Sequence, residues 1–312
     1  MEAAPFDAPL SEGPEAARSL WIEAADAVRL RITLWPVERA SGTILIFPGR
    51  TEYCEKYGRV AREFTAAGFS VAVIDWRGQG YSDRLTDDER LGHVLHFRDY
   101  QKDVAAFQKA VDEAGLPGPR FLVAHSMGGC IGLRALIDGF AVERAVFSAP
   151  MWGIHVPPRM KPVAATLPVL AKYLGQSLRV VPGTLPTNYI SDTVFAENML
   201  TTDPEHYAFM SRQALAHPAF ALGGPTLHWL AEARREMRAV ARAPRPAVPA
   251  RTYLGSLELV VDPVAIRRMH ANWPSGELAE IDGAKHELLM EVATVRDRIL
   301  DETIGFFRDS LA

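Results

Sequence analysis

The chain is poor in cysteine, in excess charge and in long apolar runs. Its 312 residues include only two cysteines, Cys54 and Cys130, too few for a disulfide framework and not spaced as a metal-binding pair. The formal net charge is −4, whereas nucleic-acid binders usually carry a basic surface. No apolar stretch approaches the ~18 residues of a membrane span, and the first residues lack the basic start and apolar run of a signal peptide. These absences argue against a disulfide scaffold, a nucleic-acid binder and an integral membrane protein, and they favour a reducing, cytoplasmic compartment.

The first half of the chain alternates apolar runs, typical of strands covered on both faces, with helical segments. Buried strands are predicted at residues 43–47, 70–74, 120–124 and 142–147, and helices at residues 55–67, 99–114 and 127–137. Residues 28–34 alternate apolar residues with Arg and Thr, which predicts a half-buried antiparallel strand. The first twenty residues, rich in Ala, Pro and Glu, predict a loose lead-in.

The alternation stops at residue 151 and resumes only near residue 250. Strands are then predicted at residues 251–254 and 277–281, and helices at residues 263–271 and 292–307. Strands that alternate with helices imply parallel crossovers and helices on both faces of one sheet. We therefore predict an α/β fold with a mostly parallel central sheet. Residues 1–150 and 250–312 would form one core domain, and residues 151–249 a largely helical lid insertion.

The most informative segment is residues 121–129, Phe-Leu-Val-Ala-His-Ser-Met-Gly-Gly. A buried strand runs through a tight turn directly into a helix, with Ser126 at the turn, which is the context of a nucleophile elbow. Small residues flank the serine because strand and helix approach closely there, and Ala124 stands where glycine is usual. The alternative is a serine that only caps the helix. We predict that Ser126 is a nucleophile and that the Met127 N–H, at the helix N-terminus, faces a developing oxyanion.

A serine hydroxyl needs a base to remove its proton, and the chain has nine histidines. Only His286 lies in a loop after the last predicted strand, where the triad order serine, acid, histidine requires the base. His125 is next to the nucleophile, but its side chain is expected to point the other way. His93 and His96 lack an apparent third ligand, so no metal site is predicted.

The acid is expected after the strand at residues 251–254, and two carboxylates occur there. Asp262 precedes Pro263 and a helical pattern, so a role as helix N-cap explains it completely. Glu258 lies in the loop just after the strand and has no such explanation. We favour Glu258 and keep Asp262 as the alternative acid. The acid orients the imidazole and stabilises the imidazolium formed during turnover.

Several further segments carry a family resemblance. They are residues 48–52, 75–82, 91–100, 124–129, 148–151 and 223–229, together with the segments that hold Glu258 and His286. Together they resemble the monoacylglycerol-lipase-like branch of the α/β-hydrolases, and within it the bacterial lysophospholipases. The resemblance runs from about residue 45 to the C-terminus and is weakest between about residues 156 and 198. Residues 223–229 are the most specific for lysophospholipases because they lie in the variable insertion.

The resemblance implies an α/β-hydrolase fold, an acid at Glu258 and a second oxyanion donor just after the His-Gly pair of an early loop. Here that pair is Pro48-Gly49, so the donor would be the Arg50 backbone N–H. The Arg50 side chain raises a further hypothesis, contact with the phosphate of a lysophospholipid head group. The alternative is an ion pair with the nearby Glu52 or Glu55.

Residues 151–191 combine apolar residues with four basic residues and no acidic one. The basic residues are Arg159, Lys161, Lys172 and Arg179. In a chain of net charge −4, this stretch predicts a lid that rests on an anionic lipid surface, where each basic residue contributes ~1 kcal/mol. The alternative is an ordinary lid whose apolar side packs on the core.

The predicted function is hydrolysis of lipid carboxylic esters, favouring a lysophospholipase that works through an acyl-enzyme without cofactor or metal. Three alternatives are kept: a monoacylglycerol lipase or general carboxylesterase, a peptidase of the proline-iminopeptidase type, and a non-catalytic binding protein. The basic lid disfavours the peptidase, and the joint presence of Ser126, His286 and an acid disfavours the binding protein. The expected partners are a small lipid ester and, peripherally, the inner face of the cytoplasmic membrane, with no nucleic acid.

Overall fold

A twisted sheet of eight strands forms the centre of the computed structural model, which describes residues 1–184 and 187–311. The strands are β1 (Arg18–Glu23), β2 (Arg29–Trp35), β3 (Thr43–Phe47), β4 (Ser70–Asp75), β5 (Arg120–His125), β6 (Arg144–Ser148), β7 (Ala250–Gly255) and β8 (Gly276–Ile281). Their order in the sheet is β1-β2-β4-β3-β5-β6-β7-β8. β2 runs antiparallel to both β1 and β4, and the remaining neighbours are parallel.

Helices connect the strands and pack against the sheet, α2 on β4, α4 on β3, β5 and β6, and α10 on β6. The helices are α1 (Ala8–Ser11), α2 (Gly58–Ala66), α3 (Tyr100–Glu113), α4 (Ser126–Ile137), α5 (Lys161–Tyr173), α6 (Tyr189–Asp192), α7 (Pro204–Ala216), α8 (Leu227–Arg242), α9 (Pro263–His270) and α10 (Ala293–Arg308). In the described part of the chain, none of them combines the length and the apolar character needed to cross a membrane. The predicted fold class, a mostly parallel α/β sheet with helices, is confirmed.

The predicted parallel strands agree with the structure to within about two residues, and β3 has the predicted bounds. β3 and β4 are buried at every position because neighbouring strands and helices cover them completely. A continuous apolar run is the sequence pattern that such burial requires.

Two predictions near the N-terminus were wrong. The lead-in is not loose, because it contains α1 and ends in the edge strand β1. The strand predicted as half-buried is β2, which is buried after its first residue. Its polar residue Arg31 is completely enclosed, since its guanidinium binds the carboxylates of Glu55 and Asp75 at 2.6 and 2.7 Å. Buried charges are tolerated when they are paired in this way.

The chain between β6 and β7 contributes no strand to the sheet among its described residues, and it carries α5, α6, α7 and α8. We call residues 151–249 the insertion. α8 packs against both α4 and α5, which joins the insertion to the sheet. Within the insertion, residues 185–186 and the side chain of Lys161 lie outside the described residues. The division of the chain into a core and a lid remains a prediction.

Candidate active site

Ser126 lies at the sharp turn between β5 and α4, at the first residue of the helix. Its φ of +49° falls in the left-handed region, which is strained for a serine. The turn is tight enough that a Cβ at Gly128 would lie 2.0 Å from the Phe47 carbonyl oxygen, and one at Gly129 would lie 2.5 Å from the Pro150 side chain. Small residues are therefore required after the serine, because β3 and β6 end directly against the first turn of α4.

Three of the predicted site residues are joined in one hydrogen-bonded chain. The Nε2 atom of His286 lies 2.9 Å from Ser126 Oγ, and its Nδ1 atom lies 2.7 Å from a carboxylate oxygen of Glu258. This is the arrangement in which an imidazole can take a proton from a serine hydroxyl while a carboxylate stabilises the resulting charge.

The two candidate acids have different partners. Glu258 also accepts the backbone N–H groups of Val260 and Val261, at 2.6 and 3.1 Å. Burial by itself would raise the pKa of Glu258, but the charge and hydrogen bond of His286 and these two N–H groups lower it below its usual value. Asp262 instead caps α9, accepting the N–H groups of Val264 and Ala265. Glu258, and not Asp262, is therefore the carboxylate in contact with His286.

The loop after β3 is held by side chains from the turn after β4. Trp76 Nε1 donates to the Pro48 carbonyl at 2.9 Å, and Gln79 Nε2 donates to the Gly49 carbonyl at 2.8 Å. The Arg50 N–H has no protein acceptor among the described residues. Met127 lies in the first turn of α4, where N–H groups have no intrahelical acceptor. Within the described ranges, both predicted oxyanion donors are thus free of a protein acceptor, and the loop that carries Arg50 abuts α4.

The Arg50 side chain does not pair with Glu52 or Glu55, so that alternative is wrong. Glu55 binds Arg31, and Glu52 binds other groups described below. The Arg50 guanidinium instead donates to the Gly223 carbonyl at 2.8 Å and lies over the Trp229 ring. No carboxylate lies within ion-pair distance of it in the described part of the chain, and its buried Nε has no partner. Burial lowers the pKa of Arg50 to about 10, so the group is charged at neutral pH.

The loop that holds His286, residues 284–291, is fastened on one side to the insertion. Lys285 Nζ donates to the Asn198 carbonyl and the Glu287 N–H to the Leu200 carbonyl, both at 2.7 Å. The buried Glu291 carboxylate accepts the Thr202 N–H and the Lys285 N–H. The insertion therefore takes part in positioning His286, which the sequence had not indicated.

A group of charged residues lies on the other side of His286 and was also missed. His125 forms no hydrogen bond with Ser126 among the described residues, but its ring lies 4.8 Å from the His286 ring, centroid to centroid. Glu52, Lys56 and Glu287 surround it. The sequence signal for Glu52, His125 and Glu287 was that each lies within or next to one of the motif segments, whereas Lys56 lies outside them.

The three side chains are largely enclosed, since Ser126 is 8% exposed, Glu258 5% and His286 3%. A cavity of about 320 Å³ lies elsewhere, between the start of the insertion, α8 and α9. None of these three residues lines that cavity, and we assign no substrate group to it.

Comparison with known proteins gives one family. Residues 38–293 match the family described as Serine aminopeptidase, S33 (Hydrolase_4). Lysophospholipase L2 of Escherichia coli (strain K12) is 33% identical over 296 residues, which cover 90% of this chain and 85% of the relative. A monoacylglycerol lipase of Mycolicibacterium smegmatis is 30% identical over 196 residues, which cover 61% of this chain and 62% of the relative.

Among solved structures, a soluble variant of monoglyceride lipase from Saccharomyces cerevisiae, in complex with a substrate analogue, superposes with a TM-score of 0.70. It is 20% identical, and the match covers 93% of this chain and 94% of that one. At this identity the likeness establishes the shared fold.

Proposed function

This chain belongs to the family described as Serine aminopeptidase, S33, and we propose that within it the chain is a lysophospholipase. It hydrolyses lipid carboxylic esters, as the names of its relatives support. The observation that carries the proposal is the hydrogen-bonded chain from Ser126 through His286 to Glu258. The similarity to lysophospholipase L2 over most of both chains favours lysophospholipid as the substrate class.

In the proposed mechanism, Ser126 Oγ attacks the acyl carbonyl while His286 Nε2 takes the hydroxyl proton. Glu258 holds Nδ1 of His286 and stabilises the imidazolium. The imidazolium then gives its proton to the departing glycerol oxygen, which leaves the acyl group on Ser126. Water attacks this acyl-enzyme with His286 again as base and releases the fatty acid. A lipid hydroxyl that takes the place of this water would receive the acyl group instead.

The backbone N–H groups of Arg50 and Met127 form the oxyanion hole of this mechanism. Both lack an acceptor in the part of the protein that the structure describes, and the loop and helix that carry them abut at Gly128. Donors that are already oriented at the position of the developing charge stabilise the transition state, and loss of one such donor costs ~3–4 kcal/mol.

The Arg50 side chain binds the phosphate of the lysophospholipid head group. It is a half-buried cation that has no carboxylate partner among the described residues, it keeps an unused N–H at its buried Nε, and it contacts Gly223 and Trp229 of the insertion. A guanidinium matches the geometry of a phosphate, so that a charged head group would satisfy both its charge and its spare donor.

The insertion acts as a lid that contacts an anionic membrane surface. Its helix α5 and the turn after it expose apolar side chains, among them Leu170 at 55%, Tyr173 at 84% and Leu174 at 63%. Lys172 lies among them and is also exposed. α8, which packs against α5, exposes Arg235, Arg238 and Arg242. Apolar side chains flanked by cations fit the boundary between acyl chains and anionic head groups.

Two other activities use the same residues. Monoacylglycerol hydrolysis is favoured by the similarity to a monoacylglycerol lipase over about three fifths of the chain. A peptidase would need an acidic group for a free amino terminus, and the charge that Arg50 contributes is of the opposite sign. We therefore keep monoacylglycerol as the second substrate class.

The test compares fatty-acid release from lysophosphatidylethanolamine and from a monoacylglycerol of the same chain length, with Ser126→Ala as control. We expect the wild-type protein to prefer the phospholipid, and the variant to lose about 10⁴-fold or more on both substrates. Preference for the monoacylglycerol would move the assignment to a monoacylglycerol lipase. Unchanged hydrolysis by Ser126→Ala would refute the mechanism itself.

A further inference from the structure

Four buried charged or titratable side chains lie together beside the catalytic histidine and have no role in the mechanism above. Lys56 and His125 are each 2% exposed, Glu52 4% and Glu287 6%. We call these four residues the buried charge cluster. Charges are rarely enclosed without a partner or a function, since removal from water is costly.

Lys56 joins two loops of the active site through this cluster. Its Nζ lies 2.7 Å from a carboxylate oxygen of Glu52 and 2.7 Å from one of Glu287. Glu287 directly follows His286. Glu52 belongs to the loop after β3, residues 48–52, which we call the oxyanion loop. There its carboxylate accepts the Gly49 N–H at 2.5 Å and the Tyr57 hydroxyl at 2.6 Å. One ammonium group therefore ties the oxyanion loop to the loop of the catalytic base.

His125 faces acceptors on both sides of its ring. Nδ1 lies 3.0 Å from the Ser148 carbonyl oxygen, with the Ser148 hydroxyl farther away at 3.4 Å. Nε2 lies 3.3 Å from Glu287 and 3.4 Å from Glu52, within ion-pair distance but without hydrogen-bond geometry among the described residues. Because a carbonyl and two carboxylates are acceptors, this setting favours a proton on each ring nitrogen and thus the imidazolium form. In agreement, although burial opposes it, the two carboxylates raise the pKa of His125 above its usual value.

The resulting charges balance, with two carboxylates against one ammonium and one imidazolium. Glu52, His125 and Glu287 also have the spacing of metal ligands, since their ligand atoms lie within 4.8 Å of one another. A metal would need His125 Nε2 without its proton, whereas Lys56 already supplies a cation 2.7 Å from both carboxylates. The geometry favours an organic ion cluster over a metal site.

We propose that the buried charge cluster is a positioning device for ester hydrolysis. Lys56 locks the oxyanion loop to the His286 loop, and His125 is a permanent cation that holds His286 in its neutral, base-competent form. This inference rests on the proposed role of His286, but not on the choice between lysophospholipid and monoacylglycerol.

If the cluster acts through its charges, removing a cation and removing a carboxylate should shift the pH dependence of activity in opposite directions. A role in packing alone predicts no such difference. The charged groups around His286 are Glu258, Glu287 and His125, with Lys56 and Glu52 behind them. Lys285 and Glu291, also in this loop, are engaged with Asn198, Thr202 and backbone N–H groups. Loss of a cluster cation makes protonation of His286 easier, so activity fails at a higher pH. Loss of a cluster carboxylate makes it harder, so activity persists to a lower pH.

The experiment measures kcat and KM against pH on p-nitrophenyl butyrate, a soluble ester that needs neither a head-group site nor a membrane. We expect His125→Gln and Lys56→Met to move the acidic limb of kcat/KM upward by about one pH unit, and Glu287→Gln to move it downward. The double variant Lys56→Met/Glu287→Gln restores the charge balance and should return the acidic limb close to that of the wild type.

Glu52→Gln should lower kcat about tenfold with KM unchanged, because the oxyanion loop loses its hydrogen bonds to Glu52. Limbs that do not move, or that move in the same direction in all single variants, overturn the electrostatic role.

Single variants of buried ion pairs can fail to fold, so the charge on His125 is also measured in the wild-type protein. Nitrogen NMR of protein labelled with ¹⁵N-histidine, assigned with His125→Gln or by elimination, reports the protonation of each ring. We expect the His125 ring to be doubly protonated at pH 7, where an ordinary histidine is mostly neutral. A neutral His125 ring at pH 7 would refute the proposal. The Ser126→Ala variant distinguishes this proposal from the proposed mechanism. It should lose all esterase activity, which tests the mechanism, while its His125 ring stays charged, which tests the cluster.

Discussion

The loop that carries His286 and the helix α5 of the insertion are held in opposite ways. The loop is buried and bound from two sides, by Lys56 at Glu287 and by the insertion at Lys285 and Glu291. α5 packs on α8 and exposes apolar side chains such as Tyr173 on its other side. The difference separates two requirements of an esterase. Proton transfer needs groups held within tenths of an ångström. Capture of a lipid needs an apolar surface that can move from contact with water to contact with the lipid.

The largest loss of activity is expected from a substitution of the acid, Glu258, which contacts His286 in the buried loop. Glu258→Gln should lower kcat by about 10³-fold to 10⁴-fold with little change in KM, because the amide neither stabilises the imidazolium nor selects the productive tautomer. Asp262→Asn is the matched control and should keep activity within about twofold, since asparagine also caps helices. The measurement is steady-state kinetics on p-nitrophenyl butyrate. Inactivation by the Asp262 substitution alone would reverse the assignment of the acid.

The next largest loss of kcat is expected from a substitution at the contact between the oxyanion loop and α4. The Cβ of Gly128→Ala would meet the Phe47 and Pro48 carbonyl oxygens at 2.0 and 2.5 Å, which forces the loop away from the helix. We expect kcat to fall about 10²-fold, close to the loss of one oxyanion donor.

Gly132→Ala, in the same helix, serves as control for the Gly128 substitution. Its Cβ would meet the Leu122 Cδ2 methyl at 3.1 Å, which can shift slightly, and the Ala124 Cβ at 3.3 Å, a far milder contact than those at Gly128. Activity should therefore remain within about twofold. Equal losses in the two variants would show that helix packing, and not the oxyanion loop, is responsible.

A smaller and selective effect is expected at Arg50, where the oxyanion loop contacts the insertion. Arg50→Gln should lower kcat/KM about tenfold on lysophosphatidylethanolamine, because a charged hydrogen bond to the phosphate is lost. Hydrolysis of the uncharged monoacylglycerol should change little, and this serves as the internal control. An equal loss on both esters would mean that the side chain only supports the loop.

The smallest effect is expected on the exposed side of α5. Lys172→Gln should weaken binding to vesicles with 30 mol% phosphatidylglycerol about fivefold, since one basic residue near such a surface contributes ~1 kcal/mol. Leu170→Ser should weaken binding by a similar factor through lost apolar contact. Sedimentation with vesicles measures both, and hydrolysis of p-nitrophenyl butyrate should be unchanged. Binding that is equal on phosphatidylcholine vesicles, or equal in all variants, would argue against membrane contact through this helix.

The parallel strands were predictable because burial on both faces demands continuous apolar runs, as in β3 and β4. β2 was misjudged for a physical reason. Its alternating arginine and threonine resemble a solvent-facing pattern, but Arg31 is buried against acids that come from other parts of the chain. β1 was missed because an edge strand needs no such run, and its residues include Arg18 and Glu23.

The sequence by itself determined the type of sheet, the turn that presents Ser126, and two carboxylates after β7 as candidate acids. These features depend on local patterns of strand, turn and helix, whose physics acts over a few residues. The sequence favoured Glu258 over Asp262, and the tertiary structure decided between them, since Glu258 contacts His286 while Asp262 caps α9. The tertiary structure alone brought Lys56 to Glu287, 231 positions away in the chain. Folding removes both charges of such a pair from water, and each needs the other to offset the lost hydration. Which charges are buried together depends on the packed molecule and not on any one segment of the chain.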